Sequence, residues 1–392
     1  MKKSLIFLLD VLMCSLSSFG GPEAHYGVFS QILVQKKKYL SEETLAEFIG
    51  VFAFVPGPSS TQTITAIGYL VGGPLLAFFT FIVWALPALI IMTLVGLFFN
   101  LFNQSIILIE LLEVLPSIAI GFIVYAGWSL SKRIMKKNYY WLFYGFSFLA
   151  GFLLIPISFF AVPIILFASG FFLLVFEKPV SEGKKPNIKP RWNILIFIVL
   201  IAVGLELVNV WISEPLFNLI NSFFRYGYSV IGGGQIVIPL MIQDLVTSQS
   251  LITLETFLSG YAIDQAIPGP LFSFAAFVGT QSLHSSFLPW LGGFISGLTI
   301  FIPGILLVYF VVPIWKSLRE FNWLKTVLKG ITIAAASLIV LTAVTQITTL
   351  SFTWFSIGLV GLTFALLQIK KIPTPLLVGC LMLLGVFVQS II

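Results

Sequence analysis

Apolar segments separated by short polar ones recur along the whole chain. Each contains roughly 20 apolar residues, the length that an α-helix needs to cross the hydrocarbon core of a bilayer. We predict about thirteen spans, at approximately residues 5–34, 45–67, 70–99, 107–131, 139–155, 157–176, 193–213, 215–241, 254–280, 287–315, 326–349, 351–369 and 373–391. The pattern therefore predicts an all-α integral membrane protein, because a soluble domain could not bury so many apolar segments.

Two helix-breaking motifs each occur twice with one constant spacing. Phe19-Gly20-Gly21-Pro22 is matched by Ile231-Gly232-Gly233-Gly234, and Pro56-Gly57-Pro58 is matched by Pro268-Gly269-Pro270, in each case 212 residues later. Glycine and proline interrupt helices, so both halves are predicted to break their helices at corresponding depths. Paired interruptions of this kind indicate a transporter built from two homologous repeats, with its substrate site near the bilayer midplane.

The repeat divides the chain into four parts. We predict a first transporter repeat at 1–176, a polar cytoplasmic linker at 177–192, an unpaired connecting span at 193–214 and a second repeat at 215–392. The linker is rich in lysine and proline, a composition that stays in water. The N-terminal segment is interpreted as the first span rather than a signal peptide, because Asp10 interrupts it and Met13 is not the small residue of a cleavage site.

The distribution of charge favours a membrane topology. Of the 392 residues, 58% are hydrophobic and 9% charged, and the net charge is +6. The basic residues form clusters between apolar segments rather than a stripe with stacking aromatics, so no nucleic-acid partner is expected. With the N-terminus in the cytoplasm, thirteen crossings place 17 of the 21 basic residues inside and Lys36-Lys37-Lys38 outside. The seventh span then gives the second repeat the opposite orientation in the membrane. Whether the number of crossings is odd or even depends, however, on whether the Pro-Gly-Pro segments cross or re-enter.

The residue content does not support an intramembrane enzyme. Covalent catalysis needs a nucleophile beside a base, and a metal site needs clustered ligands. The chain has two histidines, His25 and His284, and two isolated cysteines, Cys14 and Cys380. We therefore predict no catalytic residue, no metal site and no cofactor. A scaffold protein would not need paired breaks with polar residues at membrane depth.

The residues after the first Pro-Gly-Pro motif suit an anion. Pro56 ends the incoming helix, Gly57 permits the turn, and Pro58 suits the first position of a new helix. Ser59-Ser60-Thr61 would offer hydroxyl and free backbone N–H groups at the positive end of the helix dipole. We expect a tetrahedral oxyanion to fit there.

The second motif is followed by the less polar Leu271-Phe272-Ser273. Its polar contribution is therefore predicted to come from Asp264 and Gln265 before the turn, which makes the site asymmetric. Asp264 is also the predicted proton carrier, because an ionisable residue at membrane depth is a functional candidate by default. Glu23, beside the first break, is the alternative carrier.

Other residues at membrane depth have two interpretations each. Arg225 is predicted to bind the substrate or a counter-ion, the alternative being a side chain that snorkels to the interface. His25 would accept a proton near neutral pH or bond a carbonyl freed by the helix break. Glu206 lies in the unpaired span, away from both repeats, and is interpreted as structural. The glycines at 232–234 would equally permit close helix packing.

These motifs resemble the chromate ion transporter family. The resemblance rests on Phe19-Gly20-Gly21-Pro22-Glu23-Ala24-His25, Pro56-Gly57-Pro58 with Gln62 and Gly68, Phe224-Arg225-Tyr226-Gly227, and the segment 264–270. It implies the family's long, two-domain form, which exports chromate across the bacterial inner membrane by proton-coupled antiport and confers chromate resistance. Ser59 stands where many relatives have an acidic residue, and Met13 where the family has a basic one. These departures leave the anion open, with sulfate or another oxyanion as the alternative.

The predicted substrate site comprises both sets of breaks and the polar residues beside them, namely Gly20, Gly21, Pro22, His25, Pro56, Gly57, Pro58, Ser59, Ser60, Thr61, Gln62, Arg225, Gly232, Gly233, Gly234, Gln235, Gln265, Pro268, Gly269 and Pro270. Asp264 and Glu23 are the predicted proton carriers. The expected partners are a small inorganic oxyanion, protons and the lipid bilayer, and a homodimer is a possible assembly.

Overall fold

The regular structure of the chain is helical. The computed structural model spans 392 residues and describes all except residues 1, 20, 54, 103–105, 157–160, 178–189, 212–213, 231–236, 285–287, 316–320, 350–353, 370–371 and 390–392. No β-strand occurs in the described residues. The predicted all-α class is confirmed.

The first half contains the helices α1 (Lys2–Ser17), α2 (Pro22–Phe29), α3 (Glu42–Phe52), α4 (Ser59–Phe102), α5 (Ile106–Ile134), α6 (Tyr140–Leu154) and α7 (Ala161–Phe176). A π-helical segment, Ser30–Lys36, extends α2. The unpaired helix α8 (Trp192–Trp211) follows the linker.

The second half contains the helices α9 (Pro215–Ser229), α10 (Val237–Met241), α11 (Leu254–Ala266), α12 (Phe274–Ser282), α13 (Pro289–Thr299), α14 (Ile302–Val311), α15 (Asn322–Thr349), α16 (Trp354–Gln368) and α17 (Thr374–Gln389). A π-helical segment, Ile242–Ser248, extends α10, and short 3-10 turns lie at Leu271–Ser273 and Val312–Ile314.

Five helical segments in the described part of the chain are long and apolar enough to cross a membrane, at Ser59–Phe99, Val114–Lys132, Trp192–Asn209, Pro289–Ile314 and Lys325–Thr348. Shorter apolar helices accompany them, among them α6, α16 and part of α17. The multi-pass membrane character predicted from hydropathy is therefore supported, while the count of thirteen spans stays a prediction.

The two halves repeat each other in local structure at the predicted spacing of 212 residues. The π-helical segments Ser30–Lys36 and Ile242–Ser248 keep this offset. The left-handed residues Lys38 (φ 54°) and Ser250 (φ 51°) keep it too. The N-caps also correspond, because the Ser41 and Thr253 hydroxyls each accept a hydrogen bond from the backbone N–H three residues later. The repeat seen in the sequence is thus also a repeat of backbone geometry.

The segment predicted as one span at 5–34 is instead a pair of helices that reverses direction. The Lys37 ammonium lies 3.0 Å from the Asp10 carboxylate. The ring of Tyr39 contacts the ring of Phe7 at 5.0 Å. Residues 37–39 therefore lie beside residues 7–10, and the chain turns back at the break after α1. The prediction missed this because a helix that reverses inside a membrane is as apolar as one that crosses it.

A second reversal occurs at the first Pro-Gly-Pro turn, within the segment predicted as the span 45–67. Its two arms, the segments before and after the turn, both lie along residues 302–315, where Phe48 contacts Trp315 and Tyr69 contacts Tyr309. Gly57, between the arms, lies against Gly304. The chain thus approaches residue 304 along α3 and moves away from it along the start of α4.

Helix α4 itself is bent back on itself at Gly72-Gly73, where Gly73 has a φ of 77°. The two arms face each other closely, since the Trp84 indole donates to the Thr61 hydroxyl at 3.1 Å. A Cβ on Gly68 would overlap the Thr80 side chain. The long apolar helix is the second arm of α4, from about residue 74 onward.

That long arm of α4 runs antiparallel to its counterpart in the second half, α13 with α14. Phe81 contacts Phe301 at 5.6 Å, and Leu89 lies against Gly297. At the far end the Tyr309 hydroxyl donates to the Pro74 carbonyl at 2.8 Å. Corresponding helices of the two halves therefore point in opposite directions.

The helices group into two compact units. Unit 1 contains Met1–Phe98, Pro186–Gly234 and Ile267–Glu320, and unit 2 contains Phe99–Lys185, Gln235–Ala266 and Phe321–Ile392. Each unit draws on both halves of the sequence, so the compact units do not coincide with the predicted repeats at 1–176 and 215–392. The repeat boundaries stay a prediction about sequence duplication.

In unit 2, α15 packs against α5, α6 and α7, and a polar cluster lies at the end of α7. The Glu177 carboxylate accepts hydrogen bonds from the Lys137 ammonium at 2.6 Å and the Lys329 ammonium at 2.9 Å. The Tyr139 hydroxyl and the Tyr140 hydroxyl donate to it as well. Burial alone would raise the pKa of Glu177, but these hydrogen bonds hold it well below its usual range.

Candidate functional site

Both Pro-Gly-Pro turns lie in unit 1 and have the same backbone shape. Gly57 has a φ of 123° and Gly269 a φ of 126°, a region that side-chain-bearing residues avoid. Space is also restricted, because a Cβ on Gly57 would lie 2.7 Å from the Gly304 Cα and one on Gly269 would lie 2.6 Å from the Ala88 Cβ. The turns therefore require glycine for both conformation and space.

Each turn is hydrogen-bonded to the segment beside the other half's glycine-rich break. The Gly57 N–H donates to the Val230 carbonyl at 2.7 Å, and the Gly269 N–H donates to the Ser18 carbonyl at 2.8 Å. Donors and acceptors are both related by the 212-residue offset, so the two bonds are equivalent. The structure thus brings together the two kinds of motif that the sequence singled out.

Some predicted residues of these breaks cannot be placed. Gly20, Gly232, Gly233, Gly234 and Gln235 lie outside the described residues, and the Glu23 side chain is not described. Gly21 precedes α2 with a φ of 95°, and Pro22 is the first residue of that helix. The helix break predicted at this motif is therefore present, since it separates α1 from α2.

A buried polar cluster surrounds the start of α4. His25 is fully buried, and its Nδ1 lies 3.0 Å from the Ser60 hydroxyl. The Tyr26 hydroxyl donates to the Ser59 hydroxyl at 3.1 Å. Trp84 completes the cluster with its bond to Thr61, and its ring contacts the His25 ring at 5.3 Å. The predicted residues His25 and Ser59-Ser60-Thr61 are therefore brought together.

Sequence reasoning missed Tyr26, Trp84 and Ser15, whose hydroxyl donates to the Trp84 carbonyl at 2.8 Å. Tyr26 directly follows His25, a predicted site residue, and this adjacency was a sequence signal that would have identified it. Trp84 lies inside a continuous apolar run, where nothing distinguishes it from packing residues. The general need of a buried indole N–H for an acceptor was its only sequence clue.

Several polar atoms in this part of unit 1 have no hydrogen-bond partner among the described residues. They are the His25 Nε2, the Ser18 hydroxyl and the Gln62 Oε1. The Gln62 Nε2, by contrast, donates to the Pro56 carbonyl at 2.7 Å and the Gly304 carbonyl at 3.2 Å. Buried polar groups are nearly always satisfied in native proteins, so these atoms make this region a candidate site for a polar ligand.

Among the described residues, no such cluster surrounds the corresponding region after Pro268-Gly269-Pro270. The chain there forms a 3-10 turn at Leu271–Ser273, and the Ser273 hydroxyl donates back to the Pro270 carbonyl at 2.8 Å. Asp264 and Gln265 are buried near the end of α11 in unit 2. Their predicted roles at the site, and the asymmetry that these roles imply, stay predictions.

Arg225 lies on α9, five residues before the Val230 carbonyl that binds the first turn. Its guanidinium Nη1 lies 3.5 Å from the Glu206 Oε1, and the two side chains are 16% and 46% exposed. The interpretation of Glu206 as a residue apart from both repeats was wrong. Helix α8 brings it to the predicted anion-binding cation, because α8 packs against α9 and α14.

Comparisons with known proteins agree on one family. The chromate transporter family model matches residues 5–176 and 217–386. An uncharacterized transporter of Methanocaldococcus jannaschii is 26% identical over 343 residues, covering 86% of this chain and 83% of the relative. A probable chromate transport protein of Synechococcus elongatus is 25% identical over 380 residues, covering 95% and 92%. A chromate transport protein of Cupriavidus metallidurans is 23% identical over 379 residues, covering 94% and 88%. No solved structure matches significantly. Because the family model spans most of both halves, the chain belongs to the chromate transporter family.

Proposed function

We propose that the protein transports chromate, or a tetrahedral oxyanion of the same charge, out of the cytoplasm across the inner membrane. The observation that carries the proposal is the buried cluster at the start of α4, where His25 and three hydroxyl residues converge on a helix N-terminus. Membership of the family and the names of two relatives support chromate as the substrate. Sulfate has the same shape and charge, and it is the alternative that the experiment below tests.

The cluster has the chemistry that a dianion requires. The first backbone N–H groups of a helix lack intrahelical acceptors, and the helix dipole adds a partial positive charge there. Ser59, Ser60 and Thr61 occupy these positions of α4. His25 adds a ring nitrogen, Nε2, that has no hydrogen-bond partner in the described part of the chain. Together these groups can replace the hydration of a small oxyanion without a metal or a cofactor.

The helix reversals suggest a different span count that keeps the predicted ends. Suppose that the first two predicted spans of each half, 5–34 with 45–67 and 215–241 with 254–280, re-enter instead of crossing. Each half then crosses the membrane four times, and α8 crosses once. The linker is then cytoplasmic and the C-terminus periplasmic, as in the thirteen-span interpretation, but Lys36-Lys37-Lys38 moves to the cytoplasmic side. This arrangement strengthens the positive-inside bias. The antiparallel course of α4 and α13–α14 supports inversion of the second repeat.

Proton coupling is part of the proposal. Asp264 is the proposed carrier because it is a buried carboxylic acid just before the second Pro-Gly-Pro turn. Glu23 is the alternative, because it precedes the cluster by two residues. Antiport of protons against the anion would supply the energy for export.

A homodimer is proposed as the assembly, which cross-linking in native membranes would test.

The test is uptake of labelled chromate into inverted vesicles, with sulfate as a competitor and with or without an imposed proton gradient. Ser60→Ala and His25→Gln should lower transport about 10- to 100-fold, since each removes a hydrogen bond to a charged ligand. Ser169→Ala is the matched control, because Ser169 is equally buried but donates to the Gly330 carbonyl in unit 2. Wild-type transport by both cluster variants would refute this site, and stronger inhibition by sulfate than by unlabelled chromate would change the substrate.

A further inference from the structure

An apolar groove lies between the unpaired helix α8 and parts of α4 and α14, all within unit 1. Its volume is about 620 Å³, in the range of pockets that hold whole small molecules. Its apolar walls include Phe78 and Phe81 of α4, Ile194 and Phe197 of α8, and Ile302 and Ile305 of α14. The protein therefore leaves a space beside α8 that its own side chains do not fill.

The two ends of the groove differ in polarity. Asn193 and Tyr309 are its polar lining residues. They lie at the same end, because the ring of Trp192 contacts the ring of Phe310 at 6.1 Å. Ile302 lies seven residues before Tyr309 on the same helix, which places it roughly 10 Å further along the groove. The groove thus runs from a polar mouth at the start of α8 to an apolar end.

The groove faces the hydrocarbon of the bilayer. Only 6% of the apolar helix Trp192–Asn209 is buried in the protein, and this segment is long enough to cross a membrane. Phe197 and Ile302 remain partly exposed although they line the groove. An apolar space of this kind does not hold water, whereas the acyl chain of a lipid has the chemistry and the access to fill it.

The mouth of the groove carries positive charge. Arg191 is exposed and directly precedes α8, and its carbonyl accepts a hydrogen bond from the Ile194 N–H at 3.0 Å. The sequence from 183 to 205 contains Lys184, Lys185, Lys189 and Arg191 and no acidic residue. A guanidinium can bind two oxygens of a phosphate group, and basic residues at a membrane surface attract anionic lipids. The charge at the mouth is thus complementary to an anionic head group.

We propose that the groove binds one anionic phospholipid, with an acyl chain between α4, α8 and α14 and its phosphate group at Arg191. An acyl chain gains little by leaving other acyl chains, so the groove alone would not select among lipids. Arg191 supplies the selection. The bound lipid fills the space beside α8 and supports the packing of this helix against α14. The proposal does not depend on which anion the protein transports.

The experiment is titration of phosphatidylglycerol, or of zwitterionic phosphatidylcholine, into the delipidated full-length protein, with native mass spectrometry to count bound lipids. The wild type should bind one phosphatidylglycerol molecule more tightly than phosphatidylcholine. Arg191→Gln should weaken the binding of phosphatidylglycerol about fivefold, the factor that one basic residue contributes at an anionic lipid surface. Ile302→Trp places a large ring in the groove and should remove the tight binding step for phosphatidylglycerol.

Two matched variants control for general effects. Lys136→Gln removes a positive charge at an exposed position after α5. Ile164→Trp adds a ring at a position of α7 that is 60% exposed and does not line the groove. Both should bind phosphatidylglycerol as the wild type does. All four variants should keep the wild-type melting temperature in lipid-free detergent, because the altered residues are exposed.

The outcomes decide each part of the proposal. Equal affinity of the wild type for the two lipids overturns the head-group assignment, and unchanged phosphatidylglycerol binding by Ile302→Trp overturns the groove. If the Trp variant does not fold, unchanged binding by Arg191→Gln overturns the proposal by itself. An equal loss of binding in Lys136→Gln and Arg191→Gln overturns it too, since the attraction would then be a general effect of charge. The readout is lipid binding, so a failure of chromate transport leaves these results unaffected.

Discussion

Replacing Gly269 by alanine tests whether the second Pro-Gly-Pro turn has the backbone and the close contact described above. The new methyl group would lie 2.6 Å from the Ala88 Cβ, and the other nearby atoms, the Ala88 Cα and the Ser15 hydroxyl, are 3.8 and 3.9 Å away. The steric conflict is thus with a single methyl group. Ala88→Gly removes that methyl group, so the pair can be studied as a double-mutant cycle.

The expected free energies follow from two separate effects. A side-chain-bearing residue held at a φ of 126° costs about 1–3 kcal/mol. Forcing a methyl group into a filled space costs about 1–3 kcal/mol more, so Gly269→Ala should destabilise the protein by about 2–6 kcal/mol. Ala88→Gly removes only the steric part. The double variant should therefore be more stable than the sum of the single effects by about 1–3 kcal/mol.

The assay is denaturant unfolding of the purified protein in mixed micelles, with apparent melting temperatures at one scan rate as a second measure. Gly57→Ala is the informative comparison, because its added Cβ would clash with the Gly304 Cα as well as with the Gln62 side chain, and no substitution can relieve the clash with the backbone. Gly50→Ala is the control, since no atom lies within 4 Å of its added Cβ, and it should be neutral or slightly stabilising. Strict additivity of Gly269→Ala and Ala88→Gly would refute the contact, and wild-type stability of Gly269→Ala would refute the turn.

Four further predictions concern charge and topology. Arg225→Gln should abolish vesicle transport at near-normal protein abundance, and Arg225→Lys should fail as well because an ammonium cannot grip two oxygens in a plane; wild-type uptake by the Gln variant would make the residue structural. Asp264→Asn should retain anion exchange but lose accumulation driven by an imposed pH gradient, whereas loss confined to Glu23→Gln would move the proton role to the first half. Glu177→Gln should lower the melting temperature at pH 7 by removing charged hydrogen bonds worth about 1–3 kcal/mol. Since the folded-state pKa of Glu177 is depressed, its contribution is present above the unfolded pKa and lost as the pH falls below about 4, so the difference from wild type should shrink there; a constant difference contradicts this reasoning. Lys37→Cys should react with a membrane-impermeant thiol reagent from the cytoplasmic side. Labelling from the periplasmic side would instead show that the segment 5–34 crosses the membrane.

The sequence predicted the features that depend on special residues at fixed spacing. Gly57 and Gly269 are predictable because only glycine suits a left-handed turn. The reversal within 5–34 could not be predicted, because hydropathy measures how apolar a segment is and not on which side of the membrane it ends. For the same reason the sequence left open whether the Pro-Gly-Pro segments cross or re-enter. Glu206 was misjudged for a related reason, since sequence distance says nothing about which helix lies beside which.

The π-helical segments provide a relative chronology for the protein. An extra residue per turn is an uncommon backbone state, and it occurs at the same place in both halves, together with the left-handed residues that follow it. A shared irregularity of this kind is most simply inherited from one ancestral half-length chain. His25 and Trp84 have no such twins, because Val237 and Ser296 stand at the corresponding positions, so the two copies have diverged at the candidate site. The backbone framework is thus the part that both copies have kept, whereas the side chains proposed to handle the anion are where two copies that began alike now differ.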